Sequence, residues 1–149
     1  MLVVIATKDE INLVKELKYD HFPILITGVG GMNVINALKD IPRDTEILNI
    51  GYAGSNKLDI GTKVSVSRVG TYHPSVDFLE HSSTNLTSIT GYPCFTSTDF
   101  VTHCDIEEPC VFDMELAFIC ALGFKRVTSI KVVSDNLSLK QYEKNVVKT

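Results

Sequence analysis

No lysine- or arginine-rich run marks this chain, whose formal net charge is −4 over 149 residues. Nucleic acid and anionic membrane both call for a basic face, so the charge argues against either as the main partner. No apolar run approaches the length that spans a bilayer. The first residues, MLVVIATKDE, carry neither a basic n-region nor a long apolar h-region. The four cysteines, Cys94, Cys104, Cys110 and Cys120, include no C-x-x-C pair and no metal-finger spacing, and the histidines show no paired spacing. The expectation is a cytoplasmic protein with reduced thiols, no metal and no cofactor of its own. Two phosphate-binding signatures are also absent. Gly28-Val29-Gly30-Gly31 lacks the third glycine of the dinucleotide fingerprint, and no Gly-Lys-Ser/Thr completes a P-loop.

What is present fits an ordinary globular chain, with 44% hydrophobic and 21% charged residues, and 1–149 reads as one domain. Leu2 to Ala6 and Pro23 to Thr27 are short apolar runs expected of strands buried on both faces. Between them Ile11, Leu13, Val14 and Leu17 form a helical stripe, with Asp9 and Glu10 as favourable charge near its start. Met32, Val34, Ile35, Ala37 and Leu38 predict a second helix. Glu46 to Ile50 predicts a third strand leaving through Gly51-Tyr52-Ala53-Gly54-Ser55-Asn56, and Lys63 to Val69 a half-exposed fourth. Gly70 to Thr90 reads as mostly irregular, and Tyr92 to Phe95 and Ser97 to Val101 as strand pieces. A helix-like run follows Asp113-Met114-Glu115 and stops at Gly123, Val127 to Val133 is a β-branched strand, and Leu139 with Tyr142 to Val147 suggests a C-terminal helix. Alternation of this kind argues for an α/β fold built on a largely parallel sheet.

In such folds ligands bind at strand ends and the turns after them. Two glycine-rich exits, at Gly28–Gly31 and Gly51–Gly54, can let backbone N–H groups approach one crevice. Ser134 and Asp135 stand at the end of the Val127 to Val133 strand, and Glu115 at a helix start. On residue type alone each acid serves equally as a helix cap or turn former, and Phe100 as core.

Five motifs in order give a sharper expectation. Ile26-Thr27-Gly28-Val29-Gly30, Asn49-Ile50-Gly51-Tyr52-Ala53-Gly54, Ile60-Gly61-Thr62-Lys63-Val64, Asp113-Met114-Glu115 and Val133-Ser134-Asp135 resemble those of the purine nucleoside phosphorylase and methylthioadenosine/S-adenosylhomocysteine nucleosidase superfamily. The resemblance implies a three-layer fold with a central mixed, largely parallel sheet flanked by helices. It implies Asp135 as the acid that protonates the purine, Glu115 as the holder of the ribose hydroxyls with Met114 packing on the sugar, and Glu10 as the acid that positions water. It places Thr27 and Gly28 beside the sugar and Ser134 beside the acid, and it makes Phe100 and Val101 the pair that stacks on the base. Tyr72-His73 resembles a pair that can complete a neighbouring subunit's pocket, and a homodimer is expected because a shortened sheet leaves a pocket that can borrow a wall. Ser134 or Lys131 is expected to tune Asp135.

Phosphorylases bring arginines to phosphate, and Arg43, Arg68 and Arg126 lie in neither the first strand exit nor the glycine turn, so water is the expected nucleophile. The implied activity is hydrolysis of a purine nucleoside of the 5′-methylthioadenosine or S-adenosylhomocysteine type. A phosphate-dependent phosphorylase and a catalytically weak nucleoside-binding module remain the alternatives. The chain departs from the pattern in several ways, one of them a trimmed stretch between His73 and Phe95. Only sixteen residues lie between Glu10 and Thr27, Lys131 replaces the usual arginine, and Tyr52 stands where a small residue is common, so an altered pocket is expected.

Overall fold

The computed structural model describes residues 1–73, 77–81 and 85–146, with the backbone alone for 77–81. The first strand, β1 (Leu2–Ile5), is buried, and a 3-10 turn (Lys8–Glu10) leads into α1 (Ile11–Glu16), whose Leu13 and Val14 pack beneath the sheet. Next come β2 (Ile24–Ile26) and α2 (Gly31–Leu38), then β3 (Ile47–Ser55) and β4 (Lys63–His73). The chain continues through β5 (Asp77–His81), β6 (Tyr92–Thr96), β7 (Val111–Asp113), α3 (Leu116–Ala121), β8 (Val127–Asp135) and α4 (Leu139–Asn145).

All these strands join one mixed sheet. β1 lies parallel between β2 and β3, and β3 runs parallel to β8. β8 pairs antiparallel with β4, β4 parallel with β6, β6 parallel with β7, and β7 returns antiparallel to β3. Five strands therefore close into a ring, with β1 and β2 extending it on one side and β5 on the other. The expected α/β sheet is present, mixed and largely parallel, but its closure into a barrel is not part of a three-layer picture.

Several boundaries differ from the sequence reading for identifiable reasons. β2 is an edge strand and not a doubly buried one, with Ile26 45% exposed. β3 does not stop at Ile50 but runs through Gly51, Tyr52, Ala53 and Gly54, where glycine suggested an exit. β4 extends to His73 and pairs with β5, in a stretch that read as irregular because its sequence lacks an apolar alternation. Ser97 to Val101 is bend and loop and not strand. β7 is three residues long, too short to leave a period in the sequence.

The core falls into three groups. The largest joins Val34 and Leu38 of α2, Leu116 and Ile119 of α3, Phe124 and the barrel strands. Gly31 lets α2 meet α3, since a Cβ there would come within 2.4 Å of the Phe118 ring. The second lies between α1 and the β1–β3 face. The third gathers Tyr72, Phe95, Val101, Cys110 and Phe112 at one end of the barrel. Burying each such large side chain stabilises the fold by about 1.5–3 kcal/mol.

Candidate active site

A cavity of about 150 Å³ opens at the C-terminal ends of β1, β3 and β8. Its wall carries Ala6, Thr7 and Glu10 after β1, Val29 from the glycine turn, and Tyr52, Ala53 and Gly54 from β3. Phe100, Phe112, Asp113, Met114, Glu115, Ser134, Asp135 and Tyr142 complete it.

Glu10 is buried at 7% exposure. One carboxylate oxygen accepts the Ala6 N–H at 2.8 Å and the Thr7 N–H at 3.4 Å, and the other accepts the Tyr52 N–H at 2.8 Å. Glu10 thus caps its own turn, as a first-turn acid does, and also ties that turn to β3. A Cβ on Gly51 would lie 2.7 Å from Glu10 Oε2 and 3.4 Å from Lys131 Nζ. Burial raises the Glu10 pKa, and the nearby Lys131 charge and the three backbone donors oppose the rise.

Asp135 ends β8. Its Oδ1 accepts the Ser134 hydroxyl at 2.7 Å and its Oδ2 the Leu137 N–H at 3.0 Å. The turn former's role is therefore real, and burial still raises its pKa against these bonds, which favours a carboxyl that keeps its proton. The register shifts beside it: Ala53 pairs with Val133 and Gly54 with Asp135, leaving Ser134 as the extra residue of a bulge. Such a bulge re-aims the side chain that follows it. A Cβ on Gly54 would approach Asp135 Oδ2 to 2.8 Å, so β3 is pared to backbone at two places, once under each carboxylate.

Glu115 precedes α3, and its Oε2 accepts the Gly30 N–H at 3.0 Å, joining the glycine turn to the start of α3. Burial first, and then the neighbouring Asp113 charge, push its pKa up to about 7, opposed by Lys131. Asp113 itself is buried within the barrel. Its Oδ2 meets Lys131 Nζ at 3.1 Å and the Leu116 N–H at 2.8 Å, and its Oδ1 accepts the Thr96 hydroxyl at 2.5 Å. Burial alone would raise the Asp113 pKa, but the Lys131 charge and these donors hold it below the usual range. The same pairing raises the Lys131 ammonium above its ordinary value despite burial. Lys131 therefore serves Asp113, and Ser134 alone of the two expected partners bonds to Asp135.

Glu10, Glu115, Met114, Phe100, Ser134 and Asp135 thus converge on one cavity. Thr27 and Gly28 do not line it. The Thr27 hydroxyl donates to its neighbours' carbonyls, 2.7 Å to Gly28 and 3.4 Å to Ile5, and the turn (Gly28 φ 93°, Gly30 φ 90°) presents Val29 and the Gly30 N–H instead. Val101 is buried in the third core group and reaches only a smaller recess of about 30 Å³ beside Phe100. Tyr72 is core too, its ring edge-on to Phe112 at 5.3 Å and its hydroxyl donating to the His103 carbonyl, while His73 is exposed. The sequence reading missed Tyr142, whose ring stands edge-on to Phe100 at 5.5 Å and forms a wall from α4. Its place four residues into a predicted helix shortly after Asp135 was the available signal. Among the described residues no group of three or more metal-ligating side chains occurs, and no helix is long and apolar enough to cross a membrane.

An α/β barrel with carboxylates on three strand exits around a partly apolar cavity belongs to a class of small-molecule sites placed at sheet ends. The chain matches no family model and no curated protein. Among solved structures it is similar to a nucleosidase (MTAN) of Chlamydia trachomatis bound to MTA, with TM-score 0.73, 18% identity, and 98% of this chain and 88% of that one covered. The futalosine hydrolase of Helicobacter pylori gives TM-score 0.70 and 14% identity, covering 97% and 89%. The 5′-methylthioadenosine/S-adenosylhomocysteine nucleosidase of Colwellia psychrerythraea, in complex with adenine, gives 0.71 and 17%, covering 97% and 87%. The fold is shared, over nearly the whole chain, with these nucleosidases and the futalosine hydrolase.

Proposed function

We propose that the protein is a purine nucleosidase that hydrolyses the N-glycosidic bond of a nucleoside of the 5′-methylthioadenosine or S-adenosylhomocysteine type and releases the base. The observation that carries this reading is the convergence of Asp135, Glu115 and Glu10 on one cavity in a fold shared with nucleosidases. Cleavage builds positive character on the ribose and negative charge on the departing purine. Asp135, its pKa raised by burial, donates a proton to the base and relieves the second charge. Glu115 accepts hydrogen bonds from the ribose hydroxyls, and Glu10 orients water toward the anomeric carbon while its charge favours the oxocarbenium-like state. Met114 packs on the sugar, and Phe100, braced by Tyr142, faces the base.

Water is the nucleophile on electrostatic grounds. The cavity lining contains no arginine, and carboxylates that favour a cationic sugar repel phosphate. Arg43 bonds to the Leu38, Lys39 and Ile41 carbonyls, Arg126 pairs with Glu46 at 3.1 Å, and Arg68 pairs with Glu108 at 2.6 Å. The protein works in the cytoplasm as a homodimer in this reading, without metal or cofactor.

Purified protein incubated with a nucleoside panel, with and without phosphate, tests the proposal by chromatography of the free base. Phosphate-independent release is expected, and strict phosphate dependence would establish the phosphorylase instead. Asp135→Asn is expected to lower release by roughly a hundredfold or more with an unchanged circular dichroism spectrum. Full activity in that variant would remove Asp135 from the acid's role. Binding without release in the wild-type protein would mark a nucleoside-binding module.

A further inference from the structure

Of the pair expected to stack on the base, Phe100 lines the cavity, while Val101 is withdrawn into the third core group. Tyr142 takes the place beside Phe100 instead, its ring centroid 5.5 Å away and its plane inclined at 62°. Two rings at that angle make a corner, so a flat base lying along one of them meets the other at its edge. The helix that brings Tyr142 there is not held by core packing. None of the α4 residues belongs to the three core groups, and polar ties fix the helix over the end of β8. The Asn145 amide donates to the Ser134 carbonyl at 2.8 Å, the Gln141 side-chain oxygen accepts the Asn136 N–H at 2.8 Å, and the Ser138 hydroxyl caps the helix. Tyr142 is half-buried on the cavity wall, and among the described residues its hydroxyl finds no hydrogen-bond partner. A tyrosine hydroxyl taken out of bulk water ordinarily has one.

We propose that Tyr142 recognises the purine edge: with the base lying along Phe100, the Tyr142 hydroxyl donates a hydrogen bond to a ring nitrogen of the N1–C2–N3 edge. The inference rests on the nucleosidase reading of this cavity and adds to it a base-recognising residue supplied by α4. The choice of edge follows from the other groups around the cavity. Asp135 serves N7 in that reading, and the glycosidic nitrogen carries the sugar, so N1 and N3 are the ring acceptors left. An ionised carboxylate accepts hydrogen bonds and donates none, so Glu10 and Glu115 cannot serve them in that form. The Ser134 hydroxyl is spent on Asp135, whereas the Tyr142 hydroxyl is unspent and its ring adjoins Phe100. Burial, and then the charges of Glu10, Asp9, Glu115 and Asp135, raise the Tyr142 pKa, so the phenol keeps the proton it donates.

The test compares 5′-methylthioadenosine with its 1-deaza and 3-deaza analogues in the wild-type protein and in Tyr142→Phe, which keeps the ring against Phe100 and removes only the hydroxyl. The variant is expected to raise KM for the parent nucleoside about fivefold, the worth of one neutral hydrogen bond, with kcat changed less. One of the two deaza analogues is expected to show that penalty already in the wild-type protein and no further penalty in the variant. A purely structural hydroxyl would instead weaken all three nucleosides alike. Base release with a KM that the variant leaves unmoved would overturn the contact alone, as would an equal loss on all three compounds. If the wild-type protein releases no base, calorimetric dissociation constants for the same set make the same comparison, with the same outcomes for and against. Binding of none of the three would overturn the nucleosidase reading itself, and the contact with it.

Discussion

Gly51 and Gly54 show how little room separates a local rule from a site. Both lie inside β3, where glycine weakens a strand, and both are required by a carboxylate oxygen that would stand 2.7–2.8 Å from any Cβ. Neither has a positive φ, so the need is for space and not for an unusual backbone. Gly51→Ala is expected to displace Glu10 and its bond to the Tyr52 N–H, and Gly54→Ala to displace Asp135. Each should reduce base release at least tenfold while the helical and strand signals in circular dichroism persist. Unchanged kcat in both variants would show that the carboxylates do not need these positions. At this scale the sequence was legible where chemistry and motif coincide, at Asp135, Glu115, Met114 and Glu10. It was opaque for Tyr142 and the Lys131–Asp113 pair, because a buried ion pair and a wall borrowed from α4 are products of tertiary packing and leave no periodic trace.

Among the elements, β8 and β3 position the site together. Their long parallel pairing holds Lys131 opposite Gly51 and, through the bulge at Ser134, sets Asp135 opposite Gly54. β7 then delivers Asp113 to Lys131 inside the barrel and Glu115 to the glycine turn just beyond it. The apolar runs of β1, β8 and the first half of β3 announced themselves, while three-residue β7 and the glycine-bearing second half of β3 did not, since each owes its extended form to neighbours on both sides. The buried pair makes this arrangement fragile in a specific way. Asp113→Ala leaves the Lys131 ammonium without its partner at 3.1 Å, and removing one member of a buried pair costs about 3–5 kcal/mol. Replacing both, as Asp113→Ala with Lys131→Met, is expected to recover much of that loss. Urea unfolding of the two variants measures it, and a double variant no more stable than the single one would show that the barrel needs the charges themselves.

For the molecule as a whole, closure of the sheet leaves β2 as an edge, and the surface beside that edge is apolar. Ile26 on β2 is 45% exposed, Val29 in the turn 46%, and Met32 at the start of α2 70%. Exposed apolar residues clustered at a sheet edge are a common mark of self-association, and a two-fold contact would bring the same patch of each copy together. Val29 also lines the candidate active-site cavity, so a partner seated there would add a wall next to the Gly30–Glu115 contact. The wild-type protein is expected to sediment at twice the 16.5 kDa chain mass. Met32→Lys combined with Ile26→Lys places two like charges from each copy in the contact and is expected to give monomers. In those monomers the KM for nucleoside should rise more than kcat falls, because Val29 touches the binding wall and none of the proposed proton-transfer groups. A wild-type monomer, or a variant that remains dimeric, would assign this edge no part in assembly.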